Sequence, residues 1–531
     1  MGRWLERVPL YPFLVGIYPV LYLLAVNIRE TSPLSGMRTL LVFLGISILA
    51  FLAGLLLTRN GQKSGILSLF LILLFFLIFF VLYAPAYRAL REVSLFGTTL
   101  GRHRFLVPIS LLLLLLGSIT GTHLLKRIKA KWLSMFTLAG NLVGIILVLI
   151  PVATVGLFYV RRAGATANTQ ASLPPVEQPL QTDTALKPDI YYIILDTHTN
   201  DNIVRNILGE EWTEFSDELR QMGFFVSRCS QSNYSGTQRS LVSSLNMDYV
   251  QSFSRSTEIS DLYPILMSNR VRRSVEEAGY QTHAFESGYK FTDLTDTDRF
   301  YEPVAGALDL LTYRGLTPFE SLVMRISGGK IFYEYREQLS AKMQYMIDAP
   351  FVEYRERILY TLDTLPSLVT EPGPKFVFAH ILAPHDPFVF KENGDTITRR
   401  TPFTMVNDPE YRGGGYEAAY VAEMKYVVRR ILEIVEQIIA RSEVPPVIII
   451  QGDHGLPRTA PNNAQFSILN AYYLGGDEDP HLYNTISPVN SFRVVFNHYF
   501  GTQYPLLPDD SYLYDKVNRK FELFEDGFDC R

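Results

Sequence analysis

Three short apolar stretches in the second half of the chain end in residues that can bind a cation. DIYYIILD closes on Asp196. KFVFAHILAPH carries His380 and then His385. PPVIIIQGDHG closes on Asp453 and His454, between Gly452 and Gly455. Each run has the length and apolar character of a buried strand. In open α/β sheets, ligands bind beyond the carboxyl ends of the strands, and all three runs place an acid or an imidazole there. One Asp after one strand is equally a turn former or a helix cap. Three such ends in one domain point to a metal site with oxygen and nitrogen ligands. His198, two residues after Asp196, is a loop residue with no assigned role.

A fourth segment, SNYSGTQRSLVSSLN, runs from a polar loop into a helical pattern with Leu241 and Leu245 on one face. Thr237 falls at the start of that helix, after Gly236, a residue expected to let the backbone turn sharply. Free N–H groups and the positive end of the helix dipole make such a start a site for phosphate or sulfate. Equally, Thr237 or Ser235 can serve as a simple N-cap.

The elements that must position these residues are those of an α/β domain, in which short strand patterns alternate with helical ones. The clearest helix carries Tyr420, Met424, Val427, Val428, Ile431, Val435 and Ile438 at helical spacing, a core-facing stripe. This domain is expected over residues 188–531, as a central sheet between helices. Ahead of it, residues 163–187 (AGATANTQASLPPVEQPLQTDTALK) hold no apolar run and read as a flexible linker.

Residues 1–162 have a different composition. Five apolar runs, Tyr11–Asn27, Leu40–Leu57, Ile66–Tyr87, Phe105–Leu125 and Met135–Val160, contain no Asp, Glu, Lys or Arg. Each is near the ~20 residues a helix needs to cross a bilayer, and stretches such as LILLFFLIFFVLY show no polar face. A five-helix transmembrane domain is expected. The first run lacks a small-residue cleavage site and reads as a retained anchor. With no charge inside the runs there is no proton relay and no voltage sensor.

Charge divides at the same boundary. Of 49 Lys+Arg and 53 Asp+Glu, 16 basic residues but only three acids (Glu6, Glu30 and Glu92) precede position 163. The larger second part is therefore acidic and has no basic stripe, which excludes nucleic acid as a partner. Basic residues flanking the runs divide eight against eight between the two sides, so charge alone leaves orientation open; the KRIKAK cluster favours an inside loop. Cys229 and Cys530 are too few for a disulfide scaffold, and two residues do not reveal whether they pair.

The strand PDIYYIILD, the loop NYSGTQRSLVSSLN, the segment FAHILAPHDPF and the loop QGDHG, in this order, resemble the sulfatase-like branch of the alkaline phosphatase superfamily. Five helices ahead of such a domain resemble the lipoteichoic acid synthases and lipid A phosphoethanolamine transferases in particular. By that resemblance Asp196 is the first-strand metal carboxylate, a position that is Glu in those two transferase groups. Thr237 matches the nucleophile, whose oxygen also touches the metal. Asp453 and His454 match the second ligand pair. His385 matches a histidine that contacts the substrate's phosphate or acts on the leaving group, and His380, just before it, is a further substrate-side candidate. His198 has no counterpart. The sulfatases proper carry Cys-x-Pro-x-Arg; Cys229 opens CSQSN, without the Pro or the Arg.

The resemblance implies a metal-dependent transferase that moves a phospho-head-group from a membrane lipid, through a phospho-threonine, to an acceptor in the cell envelope. Two carboxylates, one imidazole and one hydroxyl suit Zn²⁺ or Mn²⁺. The same residues fit a phosphodiesterase or sulfate-ester hydrolase, and the fold also serves non-catalytic scaffolds. The expected location is a bacterial-type plasma membrane, with the catalytic domain on the outer face.

Overall fold

The computed structural model describes residues 2–525 apart from 29–30, 91–92, 96–97, 100–101, 126, 173–175, 182–186, 207, 210–213, 255–258, 304–314, 406–407, 412–413, 457–461, 477–480 and 516. Cys530 lies outside the described residues, and with it the question of its pairing with Cys229. The chain forms two compact units. One comprises Met1–Arg161, Gly306–Pro350 and Arg399–Thr404; the other comprises Arg162–Ala305, Phe351–Thr398 and Met405–Arg531.

In the first unit all five apolar runs are helical. Among the described residues, four helices are long and apolar enough to cross a membrane: Pro33–Thr58, Gly61–Leu82, Phe105–Leu125 and Ala130–Arg161. The first run forms a shorter apolar helix, Tyr11–Val26, of 16 residues. At 1.5 Å per residue it covers about 24 Å, less than a ~30 Å hydrocarbon core. Four spans, not five, therefore meet the length criterion. The short helix is tied to the last one by Asn141. Its buried side chain accepts from the N–H groups of Leu10 (2.7 Å) and Tyr11 (3.0 Å) and donates to the carbonyls of Leu5 (2.8 Å) and Val8 (2.7 Å). One amide thus satisfies helix-start groups that have no partner within the helix.

The last apolar helix continues to Ser172, well into the segment expected to be a flexible linker. Ala, Gln and Thr carry no helix breaker, and the first prolines come at 174 and 175. Further on, the segment is docked onto the second unit: Leu180 is buried, and Gln181 N–H donates to Phe500 O (3.0 Å).

The second unit is built on a sheet of seven described strands. In chain order they are β1 (Ile190–Leu195), β2 (Phe225–Val226), β3 (Gln281–Phe285), β4 (Arg299–Tyr301), β5 (Lys375–Ile381), β6 (Val447–Gly452) and β7 (Asn470–Leu474). Their order across the sheet is β2-β7-β6-β1-β5-β3-β4. The pairs from β6 to β4 are parallel, and β7 and β2 are antiparallel additions. Strands β1, β5 and β6 are buried along their whole length, as a parallel sheet covered on both faces requires. Helix Tyr416–Arg441 buries all seven residues of the predicted stripe. A large cluster on the sheet includes Tyr192, Phe378 and Ile449 with Leu241 and Phe492. This is the α/β arrangement expected, and it places β1 between the two strands that carry the other candidate ligands.

Candidate metal centre

Asp196 follows the last residue of β1 and is held at the sheet edge by its own N–H, which donates to Ile381 O (2.9 Å) across the β1–β5 pair. In the register of that pair, Ile194 faces His380. On the other side Leu195 faces Gly452, and Asp453 follows directly. Adjacent parallel strands of matched length therefore bring residues 196, 380 and 453 together, although the chain separates them widely. Asp196, His380 and Asp453 are buried and each offers a ligand atom, all within 4.8 Å of one another. His454 joins them: its Nε2 is 3.7 Å from Asp196 Oδ1 and 3.7 Å from Asp453 Oδ2.

The hydrogen bonds around the cluster decide which atoms face inward. Asp453 Oδ1 accepts from Thr197 N–H (3.0 Å). His454 Nδ1 lies 2.8 Å from Gly455 O. A carbonyl only accepts, so Nδ1 carries a proton, and in the neutral ring Nε2 is left as the lone-pair atom. His380 Nδ1 lies 2.8 Å from Thr292 Oγ1, whose hydroxyl donates to Tyr289 O (3.1 Å). In the tautomer that donates Nδ1–H to Thr292, His380 Nε2 is likewise the lone-pair atom, 3.4 Å from Asp196 Oδ2. Asp196 Oδ1, Asp453 Oδ2 and His380 Nε2 are buried and have no hydrogen-bond partner. An unsatisfied buried polar atom costs roughly 1–3 kcal/mol, and lone pairs facing carboxylates add repulsion. A divalent cation among them removes both costs, so the residues fit a metal.

Charge around the site is arranged accordingly. Burial opposes ionisation of Asp196, but His385, His380 and His454 together hold its carboxyl below the usual carboxylate range. Burial also opposes the charged form of His385, yet Asp196 and then Asp386 raise it above its ordinary value. His385 is half-buried, beside the cluster rather than within it; its Nδ1 meets Asp386 O at 2.5 Å. His198 is pushed down to about 4 by burial and points its Nδ1 at Thr199 O (2.9 Å).

Thr237 is buried and opens helix Thr237–Asn246. One turn on, Ser240 Oγ donates to Asp453 O (2.5 Å). Positions three apart share a helix face, so Thr237 lies on the face turned toward the Asp453 loop. Ser240 is committed to that tie. Gly236 is fully extended (φ −171°), a conformation open to any residue, so the sharp turn expected of it is not what it supplies. Gly452 and Gly455 are needed for close approach instead. A Cβ at Gly452 would lie 2.2 Å from His198 O, and one at Gly455 2.0 Å from Ala464 O.

Several residues that shape the site carry no signal of their own in the sequence. Thr197 adopts a left-handed backbone (φ 61°), rare for a β-branched residue, and thereby aims its N–H at Asp453. Tyr420, read as core, also donates to Thr197 O (2.9 Å) and accepts from Thr199 N–H (3.2 Å). Thr292 is backed by Ser287 Oγ (3.1 Å), which donates to Asp293 Oδ1 (2.7 Å). Only the density of Ser, Thr and Asp in ESGYKFTD hints at that network.

No family model matches the chain, and no curated protein matches it in sequence. Its structure is similar to the C-terminal periplasmic domain of EcEptC from Escherichia coli, solved in complex with Zn: 14% identity, 62% of this chain and 87% of that one, TM-score 0.39. It is similar to lipooligosaccharide phosphoethanolamine transferase A from Neisseria meningitidis over 88% of both chains, at 12% identity and TM-score 0.32. It is also similar to the lipoteichoic acid synthase LtaP from Listeria monocytogenes, at 12% identity over 65% of this chain and 82% of that one, TM-score 0.39.

Proposed function

We propose that the protein is a membrane-anchored, metal-dependent transferase that moves a phospho-head-group from a lipid donor to an acceptor through a phospho-threonine. The observation that carries the metal is the buried cluster of Asp196, His380 and Asp453, whose ligand atoms lie within 4.8 Å of one another, with Asp196 Oδ1, Asp453 Oδ2 and His380 Nε2 lacking a hydrogen-bond partner. Asp196, Asp453, His454 and His380 would hold the ion, with the Thr237 oxygen beside it; two carboxylates and two imidazoles suit Zn²⁺ or Mn²⁺. His380, first read as a substrate contact, is thus assigned to the ligands. When bound, the ion supplies a Lewis acid that lowers the pKa of a coordinated hydroxyl and draws charge from phosphoryl oxygens.

The chain's own groups do the rest. Thr237 Oγ1 forms the new bond to phosphorus, its proton passing to solvent, while the bond from phosphorus to the lipid's leaving oxygen breaks. His385, whose charged form Asp196 and Asp386 favour against the effect of burial, would donate a proton to that leaving oxygen. The free N–H groups at the start of helix Thr237–Asn246 face the phosphoryl oxygens. An acceptor hydroxyl then takes the group from Thr237.

The apolar helices keep the site near its lipid donor in the plasma membrane. We infer that the 16-residue Tyr11–Val26 is a fifth, short span beside the four long ones, with an inner N-terminus and an outer location for everything after Arg162. Residues 315–350, which the sequence carries within the second half, belong with the apolar helices, and Phe319 packs on the end of Tyr11–Val26, as an odd-numbered span would have it. The experiment is mass spectrometry of the full-length protein after incubation with total membrane lipids. A head-group phosphate on Thr237, absent from Thr237→Ala, is the expected result. Turnover with no adduct on Thr237 under acceptor-free conditions would overturn the covalent route.

A further inference from the structure

Residues 315–350 interrupt the second unit in sequence but fold with the apolar helices. Helix Pro318–Ile326 begins with a capping box: Thr317 Oγ1 accepts from Glu320 N–H, and Glu320 reaches back to Thr317 N–H (2.8 Å). The same carboxylate pairs with Arg38, at the start of helix Met37–Thr58; Arg38 Nε donates to it at 2.9 Å and Nη2 also reaches Gly315 O (2.6 Å). Beside this pair Phe319 is buried against Val20 and Leu24, near the end of Tyr11–Val26, with Leu40 and Phe43 around it. Gly328 lies against Phe79, where an added Cβ would come within 3.3 Å of the ring. The stretch therefore caps the ends of three apolar helices.

It also has its own small core, in which Tyr333 is buried and its hydroxyl donates to Ile347 O (2.8 Å). Against that, Ile326 (45%), Phe332 (38%), Tyr335 (37%), Met343 (39%) and Tyr345 (54%) are exposed. A segment that can bury Phe319 and Tyr333 has no internal reason to leave five large apolar side chains uncovered, and water gives none. The ends of membrane helices lie at the boundary between hydrocarbon and headgroups, where aromatic and aliphatic side chains on short helices are stable.

We propose that residues 315–350 form a platform seated in the membrane interface, with Ile326, Phe332, Met343 and Tyr345 inserted among the lipid headgroups and upper acyl chains. This rests on the reading of the apolar helices as membrane spans. The stretch has four basic residues (Arg325, Lys330, Arg336 and Lys342) and four acidic ones (Glu320, Glu334, Glu337 and Asp348). Its contact with lipid is therefore apolar and independent of lipid charge.

Fluorescence quenching in nanodiscs tests this with the full-length protein. Trp4, Trp132 and Trp212 are replaced by Phe, and a single tryptophan is introduced as Phe332→Trp, Tyr345→Trp, Leu149→Trp or Val517→Trp. Leu149 is a lipid-facing position in helix Ala130–Ser172, and Val517 is 90% exposed in the second unit. Lipids brominated near the headgroup should reduce emission at positions 332 and 345 at least twofold, equally in phosphatidylcholine alone and with added phosphatidylglycerol. Iodide in the buffer should quench only position 517. Quenching of 332 and 345 by iodide rather than by brominated lipid, with 149 still protected from iodide, would overturn the platform alone. A requirement for anionic lipid would overturn its apolar basis. Iodide access at 149 would overturn the membrane reading on which both rest.

Discussion

His380 Nε2 and Asp196 Oδ2 lie 3.4 Å apart at the ends of two adjacent parallel strands, both buried and turned toward the same point. A cation held there would bind both atoms. His380→Gln keeps a polar side chain of similar length but replaces the imidazole donor. After dialysis against a chelator, the variant should retain far less zinc or manganese than the parent. Equal retention would remove His380 from the ligand set.

Thr237 and Ser240 share a helix face and divide its work. Thr237→Ala should fold normally and lose turnover by roughly a thousandfold or more, as loss of a covalent nucleophile does. Ser240→Ala should instead lower thermal stability by about 1 kcal/mol, because Asp453 O loses a buried donor. Thr237→Ser should keep partial turnover. Near-parent turnover in Thr237→Ala would exclude it as nucleophile.

Thr292 Oγ1 is the partner of His380 Nδ1 on the far side of the ring, at 2.8 Å. Thr292→Val preserves shape and removes the acceptor, and should weaken metal binding by about 10- to 100-fold. Thr292→Ser should restore most of it. Competitive titration against a chromophoric chelator measures both, and equal affinities for Val and Ser would deny the hydroxyl this part.

Asp293 supplies a pH dependence that needs no metal. Burial raises its carboxyl from the usual range to about 6, although Ser287 donates to it twice. Between about pH 4 and pH 6 the folded protein then holds a proton that the unfolded chain has released, so this group's contribution makes stability fall as pH rises through that window. Asp293→Asn can accept both bonds from Ser287 and carries no charge. It should flatten the fall and stabilise the protein above pH 6 by on the order of 1–3 kcal/mol. Melting temperatures at pH 4.5 and 7.5 check it; a parallel fall in both proteins would exclude Asp293 as the source.

The sequence by itself determined the elements and the chemistry they carry. Runs such as LILLFFLIFFVLY have no polar face, and 3.6-residue spacing from Tyr420 to Ile438 marks a buried helix face. Strands ending in Asp196 and in Asp453-His454 announce a cation at a sheet edge, because these are properties of neighbours along the chain. Only the tertiary structure decided which histidine faces the carboxylates. His380 and His385 are five residues apart and chemically alike, and strand register, set by pairing with β1, puts His380 beside Asp196. The partner of its other nitrogen, Thr292, is 88 residues away, and no local pattern encodes that distance. The destination of residues 315–350 was hidden for the same reason. It depends on Arg38 meeting Glu320, a contact between residues far apart in the chain that exists only once it is folded.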